Sequence, residues 1–122
     1  MRPRPRRYLV GRYLPKTAEN PVETLRLECK ELDLKIIVEA RNLDEIREIL
    51  QSEGVHRILI DNFNFEDTKT AVALIGDKCQ TESSGNINEN TIREYALCGV
   101  DYISSGALTH SVYNMDLSLK AL

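Results

Sequence analysis

The sequence predicts an α/β fold built from parallel strand–helix repeats, and three observations carry that prediction. Short β-branched or apolar runs end at Glu39, Asp61, Glu82 and Ser104, spaced 22, 21 and 22 residues apart. A helix-periodic segment follows each of the first three runs, opening on an asparagine. Gly54, Gly76 and Gly99 close those segments, where a residue free to take positive φ ends a helix. Successive strands joined by helices must run parallel through right-handed crossovers. The repeat is therefore a segment of a barrel or a small open sheet. The spacing also falls in the leucine-rich-repeat range, but the LxxLxLxxN pattern is absent and the helices are too long for it.

The elements follow in order. Lys35–Glu39 is the first strand of the repeat. Asn42 caps the next helix with Glu45 as its capping-box partner, and Leu43, Ile46, Ile49 and Leu50 share one face. Arg57–Asp61 is the second strand. Asn64 caps a helix reaching Ile75 that buries Ala71, Val72, Leu74 and Ile75. Cys79–Glu82 is a weaker third strand, and Asn88 caps a helix burying Ile92, Tyr95 and Ala96. Val100–Ser104 is the fourth strand, and Asp116–Leu119 a short final strand or helical turn. The runs read as mostly apolar on both faces, as a parallel sheet covered by helices requires.

Residues 1–31 read differently. Every charged residue from Met1 to Lys16 is basic, although the whole chain of 122 residues carries a net charge of −3. Pro3, Pro5, Pro15 and Pro21 discourage regular structure. The stretch reads as a basic leader and linker, with one helix near 22–31 the regular element it could hold. A basic arm can bind nucleic acid, but nothing downstream resembles a base-reading module, so no nucleic-acid partner is expected. No apolar run approaches the roughly 20 residues that span a bilayer, and no hydrophobic stretch of signal-peptide type follows the basic start. A cytoplasmic protein with no membrane partner is expected. Cys29, Cys79 and Cys98 form no CxxC pair, which argues against a disulfide framework or zinc site. Cys79 and Cys98 read as small core residues.

Chemistry is expected where the strands end, because parallel α/β sheets open all strand C-termini on one face. The repeat delivers Glu39, Asp61, Glu82 and Ser104 to that rim. The last two βα loops read Ser83-Ser84-Gly85-Asn86 and Ser104-Ser105-Gly106-Ala107. Small residues let a ligand approach backbone N–H groups, and hydroxyls beside a helix start favour a phosphate. An acidic pair next to a phosphate cradle suits Mg²⁺ carried by a diphosphate.

Four blocks then become recognisable: Glu39-Ala-Arg-Asn-Leu43, Ile58-Leu-Ile-Asp-Asn62, Thr81-Glu-Ser-Ser-Gly-Asn86 and Gly99-Val-Asp-Tyr-Ile-Ser-Ser-Gly-Ala-Leu-Thr-His-Ser111. In order and spacing, residues 32–122 resemble the C-terminal part of quinolinate phosphoribosyltransferase, an enzyme of NAD biosynthesis, and Asp116-Leu-Ser-Leu119 resembles the family's ending. The resemblance implies part of a TIM-like barrel, with about four strands present and the N-terminal domain and early strands missing. It implies a pentosyltransferase reaction that joins quinolinate to phosphoribosyl diphosphate, releasing CO₂ and diphosphate and giving nicotinate mononucleotide. Glu39 and Asp61 match the acidic pair near the ribose and the Mg-diphosphate, with Mg²⁺ the cofactor. Ser84, Gly85, Asn86 and Gly106 match the loops binding the 5′-phosphate, and Ser83 and Ser105 lie in the same two loops. Glu82 matches an acidic position with no assigned role. His110 lies within the last motif, where a structural role beneath the rim is expected. Relatives carry an Asp-Asn-His segment and several Arg and Lys residues that bind the quinolinate carboxylates. Residues 1–31 match none of these, and Arg41 is the cation expected near the rim. The chain is therefore expected to be a fragment inactive alone, and to form a homo-oligomer, a dimer or higher, through open sheet edges. The alternative is a non-catalytic phosphate-binding βα module, or a remnant that self-associates.

Overall fold

The structure, a computed structural model, describes residues 8–12 and 34–110. The expected helix near 22–31, the side chain of His110 and the ending at Asp116–Leu119 lie outside the described residues, as does Cys29. Five strands form one sheet: β1 (Tyr8–Arg12), β2 (Lys35–Ala40), β3 (Val55–Asp61), β4 (Gln80–Ser84) and β5 (Tyr102–Ile103). Helices α1 (Leu43–Ile49), α2 (Phe65–Ile75), α3 (Ile92–Leu97) and α4 (Ala107–His110) follow β2, β3, β4 and β5. The strand order is β1-β2-β3-β4-β5, and every neighbouring pair is parallel. The four expected strands are thus present, ending at Ala40, Asp61, Ser84 and Ile103.

The strand β1 was not expected. It pairs with β2 from Tyr8↔Lys35 to Arg12↔Glu39. The prolines flank this segment rather than interrupt it: Tyr8-Leu-Val-Gly-Arg12 lies between Pro5 and Pro15, so every ladder N–H is available.

Sequential strand order has a direct consequence. Right-handed crossovers between successive neighbours place their helices on one face of the sheet, as in an arc of a βα barrel; a doubly wound sheet needs a reversal. The core confirms this. Ile36, Val38 and Ala40 of β2 and Ile58 and Ile60 of β3 pack with Ile46 and Ile49 of α1 and Ala71 and Ile75 of α2. The opposite face carries Ile37, Glu39, Arg57, Leu59, Asp61, Gln80, Glu82 and Ser84, since side chains alternate along a strand. The expectation of two apolar faces is therefore corrected: one face is apolar and helix-covered, the other largely polar.

Local signals explain the helix starts. Asn42 Oδ1 accepts the Glu45 N–H at 2.8 Å, and Asn64 Oδ1 accepts the Asp67 N–H at 2.8 Å. The Glu45 carboxylate turns back to the Arg41 N–H at 2.8 Å, one residue earlier than a standard capping box. The third helix departs further. It begins at Ile92 with Thr91 as N-cap, while the Asn88 carbonyl accepts the N–H groups of Thr91 and Ile92 in the preceding turn. With six residues at the edge of the sheet, α3 buries only Tyr95, with Cys98 just beyond it. Ile92 and Ala96, expected inside, are exposed. Tyr95 is fixed by its hydroxyl, which donates to the Phe63 carbonyl at 2.8 Å.

Candidate active site

The site is built on the polar face and the loops above it. Pairing sets its levels. Glu39, Leu59, Glu82 and Tyr102 are partners across β2 to β5, and Asp61 pairs with Ser84 one side-chain repeat higher. Equal spacing along the chain suggests one row of three carboxylates. The sheet instead places Glu39 and Glu82 on one level and Asp61 above them. Strand spacing and rise put the Cα atoms of Glu39 and Asp61 about 8 Å apart, close enough for both carboxylates to reach one ligand.

Asp61 is the centre of a polar network. Its Oδ1 accepts the Ser84 hydroxyl at 3.0 Å, and its Oδ2 accepts the Asn62 amide at 3.1 Å. Asn62 Oδ1 accepts the Asn86 amide at 3.1 Å, and the Asn62 N–H donates to the Ser84 carbonyl at 2.9 Å. The acidic strand end and the first candidate phosphate loop are thus one unit. Asn62 and Asn86 both hold positive φ, at 57° and 53°, a conformation asparagine tolerates better than other chiral residues. Gly85 has φ 88°, and a Cβ there would lie 2.3 Å from Asn62 Oδ1. Only glycine permits this packing.

The second loop is joined to the first. The Ser104 N–H donates to the Ser83 carbonyl at 3.0 Å, and the Ser105 hydroxyl donates to the Ile87 carbonyl. Gly106 is exposed at the start of α4. Beneath the loops, Thr81 and Asp101 tie β4 to β5: Asp101 Oδ2 accepts the Thr81 N–H at 2.8 Å and its hydroxyl at 2.9 Å.

The expected residues divide clearly. Asp61, Ser84, Gly85 and Asn86 come together, with Ser105 and Gly106 in the adjacent loop. Glu39 stands one level lower on the neighbouring strand, and Arg41 Nε donates to its Oε1 at 3.4 Å. Ser83 is turned away. It pairs with Ile60 on the helix-covered face, is 1% exposed, and its hydroxyl has no hydrogen-bond partner among the described residues. Only its carbonyl serves the loops. Arg57 was missed: alternation in Arg57-Ile-Leu-Ile-Asp61 puts it on the same face as Asp61, a signal visible in the sequence. It forms an ion pair with Glu82, Nη1 to Oε2 2.7 Å.

The donor set bears on Mg²⁺. Among the described residues no three His, Cys, Asp or Glu side chains converge. Were Mg²⁺ to bind here, Glu39 and Asp61 would be its protein ligands and the remaining oxygens would come from a diphosphate, as Mg²⁺ is usually held. The thiols take no part. Burial raises Cys79 above its ordinary value, helped by the Asp101 charge, and burial likewise raises Cys98.

Comparison with known proteins decides the family. Residues 13–120 match the model of the quinolinate phosphoribosyl transferase C-terminal domain. This chain belongs to that family. The match starts at residue 13, upstream of the boundary at residue 32, because residues 13–31 precede the first of the motifs, Glu39–Leu43, and carry none themselves. A mitochondrial quinolinate phosphoribosyltransferase of Nicotiana glauca is 39% identical over 108 residues, covering 77% of this chain and 31% of the relative. A probable nicotinate-nucleotide pyrophosphorylase of Methanocaldococcus jannaschii is 46% identical over 92 residues, covering 70% and 32%. The nicotinate-nucleotide pyrophosphorylase structure from Francisella tularensis superposes with a TM-score of 0.68 at 31% identity, over 93% of this chain and 39% of that one. The chain thus spans about a third of the length of these relatives. Among the described residues, no helix is long and apolar enough to cross a membrane.

Proposed function

We propose that this chain supplies the phosphoribosyl-diphosphate half of a quinolinate phosphoribosyltransferase site in NAD biosynthesis. The observation that carries the reading is the hydrogen-bonded unit of Asp61, Asn62, Ser84 and Asn86, which joins an acidic strand end to a glycine-containing loop. The 5′-phosphate rests on Ser84, Gly85 and Asn86, and on Ser105 and Gly106 of the adjacent loop, through backbone N–H donors. Glu39 and Asp61 face the ribose. As the bond from ribose C1 to the diphosphate oxygen breaks, positive charge grows at C1, and fixed carboxylates stabilise it more than they stabilise the ground state. The quinolinate ring nitrogen bonds to C1, and one carboxylate leaves as CO₂ with a proton taken up at that carbon. Mg²⁺, when bound with the diphosphate, neutralises the leaving group's charge.

Quinolinate recognition is the other half. A dianion leaves water only for several cations, and on this face Arg57 is held by Glu82 while Arg41 contacts Glu39. Both guanidinium groups described there are thus engaged, and we propose that this chain does not hold quinolinate alone. Homo-oligomer formation belongs to the same reading: β1 and β5 are the sheet edges among the described residues, and Leu97 and Leu108 are 67% and 86% exposed.

A chimera tests the reading. Residues 13–120 replace the matching segment of the Methanocaldococcus jannaschii relative, and nicotinate mononucleotide formation is followed. Turnover that Asp61→Asn abolishes is expected. A folded chimera that binds quinolinate but shows no turnover would overturn it.

A further inference from the structure

The Arg57 side chain lies on the polar face below the rim, 11% exposed, and contacts two further strands from β3. Its Nη1 donates to Glu82 Oε2 at 2.7 Å, and Nη2 and Nε donate to Gln80 Oε1 at 3.0 and 3.3 Å. The guanidinium carbon lies over the Tyr102 ring of β5, 3.7 Å from the centroid. Such use of fork and face together suits arginine and not lysine. The Glu82 side chain, 16% exposed, is consumed from both ends. One oxygen takes Arg57, and the other accepts the hydroxyl of Ser104, where the last rim loop begins. Ser104 in turn donates its N–H to Ser83 in the neighbouring loop.

We propose that Arg57 is a positioning residue, which through Glu82 holds Ser104 and so sets the last rim loop against the one before it. The chain of contacts runs from a largely buried cation, through a carboxylate it holds in one orientation, to the hydroxyl that anchors Ser104-Ser105-Gly106. This gives Glu82 a role without placing it on the substrate. The consequence for ligand binding rests on the phosphate reading above; the clamp itself does not.

Two readouts separate the possibilities. The first is amide hydrogen exchange of Ser104, Leu108 and Thr109 without ligand, relative to core amides of β3. The second is affinity for ribose 5-phosphate by calorimetry on folded protein. Arg57→Met and Ser104→Ala should each speed Ser104 exchange at least tenfold relative to the core and weaken ribose 5-phosphate at least fivefold. Ser104→Ala removes only the last link, so it reports even if Arg57→Met does not fold. The double variant Arg57→Met/Glu82→Met removes both partly buried charges, which commonly restores stability lost by removing one. Stability should recover in it while ribose 5-phosphate affinity stays low, because Ser104 has lost its acceptor. A merely structural role predicts that the two recover together, and that result would overturn the proposal. So would unchanged Ser104 exchange in both single variants. If wild-type protein binds no ribose 5-phosphate but the exchange effects appear, the phosphate reading fails and the clamp stands.

Discussion

Gly85→Ala isolates how tightly the first phosphate loop is packed on the acidic strand end. The residue holds φ 88°, and an added Cβ would lie 2.3 Å from Asn62 Oδ1, 2.6 Å from its Cγ and 2.9 Å from its backbone nitrogen. The backbone conformation alone costs alanine about 1–2 kcal/mol. The Asn62 side chain must also leave, giving up its bonds to Asp61 and Asn86, each a net contribution of about 0.5–1 kcal/mol. The backbone nitrogen cannot leave without breaking its bond to the Ser84 carbonyl, so overpacking adds about another 1 kcal/mol. The sum is about 3–5 kcal/mol. Gly99→Ala supplies the control. It too has φ 88°, but its Cβ would meet only Val72 Cγ1 at an ordinary 3.7 Å, so it should cost about 1–2 kcal/mol. Urea unfolding of both variants measures the difference. Equal losses would show that Asn62 yields freely and that the loop is not locked to Asp61.

Gly106→Val should weaken ribose 5-phosphate binding more than tenfold, about 1.4 kcal/mol, by blocking approach to the last loop; calorimetry with unchanged affinity would remove Gly106 from the site. In the chimera, Asp61→Asn and Glu39→Gln should lower kcat at least roughly a hundredfold while ribose 5-phosphate affinity changes less than about threefold, because stabilising a developing cation acts in the transition state. Near-normal kcat in both variants would end the catalytic assignment. Burial raises the Cys79 and Cys98 thiols, so the reactive thiolate is depleted around neutral pH and appears only as pH rises past the raised values. Alkylation read by peptide mass spectrometry should be slower at both than at free cysteine near pH 8, and denaturant should abolish the difference.

Much of this architecture was legible because apolar runs and helix caps are local. Ile46 and Ile49, or Ala71 and Ile75, recur at helical spacing, and Asn42 and Asn64 cap where they stand. What failed was set by pairing between strands. Chain spacing put Glu39, Asp61 and Glu82 in one row, but spacing counts loop residues as well as strand residues, and the ladder raises Asp61 one repeat. Ser83 and Ser84 are alike in sequence, yet alternation sends one hydroxyl under the helices and the other to Asp61. Arg57 read as the start of a strand, although the alternation that delivers Asp61 also places Arg57 on the polar face. Tyr8–Arg12 was obscured by prolines that lie outside it. Asn88 lost the cap of α3 to Thr91 because a turn intervenes, which composition does not reveal.

We propose a division of labour, in which this chain holds phosphoribosyl diphosphate but does not hold quinolinate alone. Titrating the purified 122-residue protein with each substrate in the presence of Mg²⁺ tests it directly. Phosphoribosyl diphosphate should bind saturably, more weakly when Mg²⁺ is withdrawn, and quinolinate should give no heat and no nicotinate mononucleotide when both are present. Saturable quinolinate binding without phosphoribosyl diphosphate binding would overturn this division.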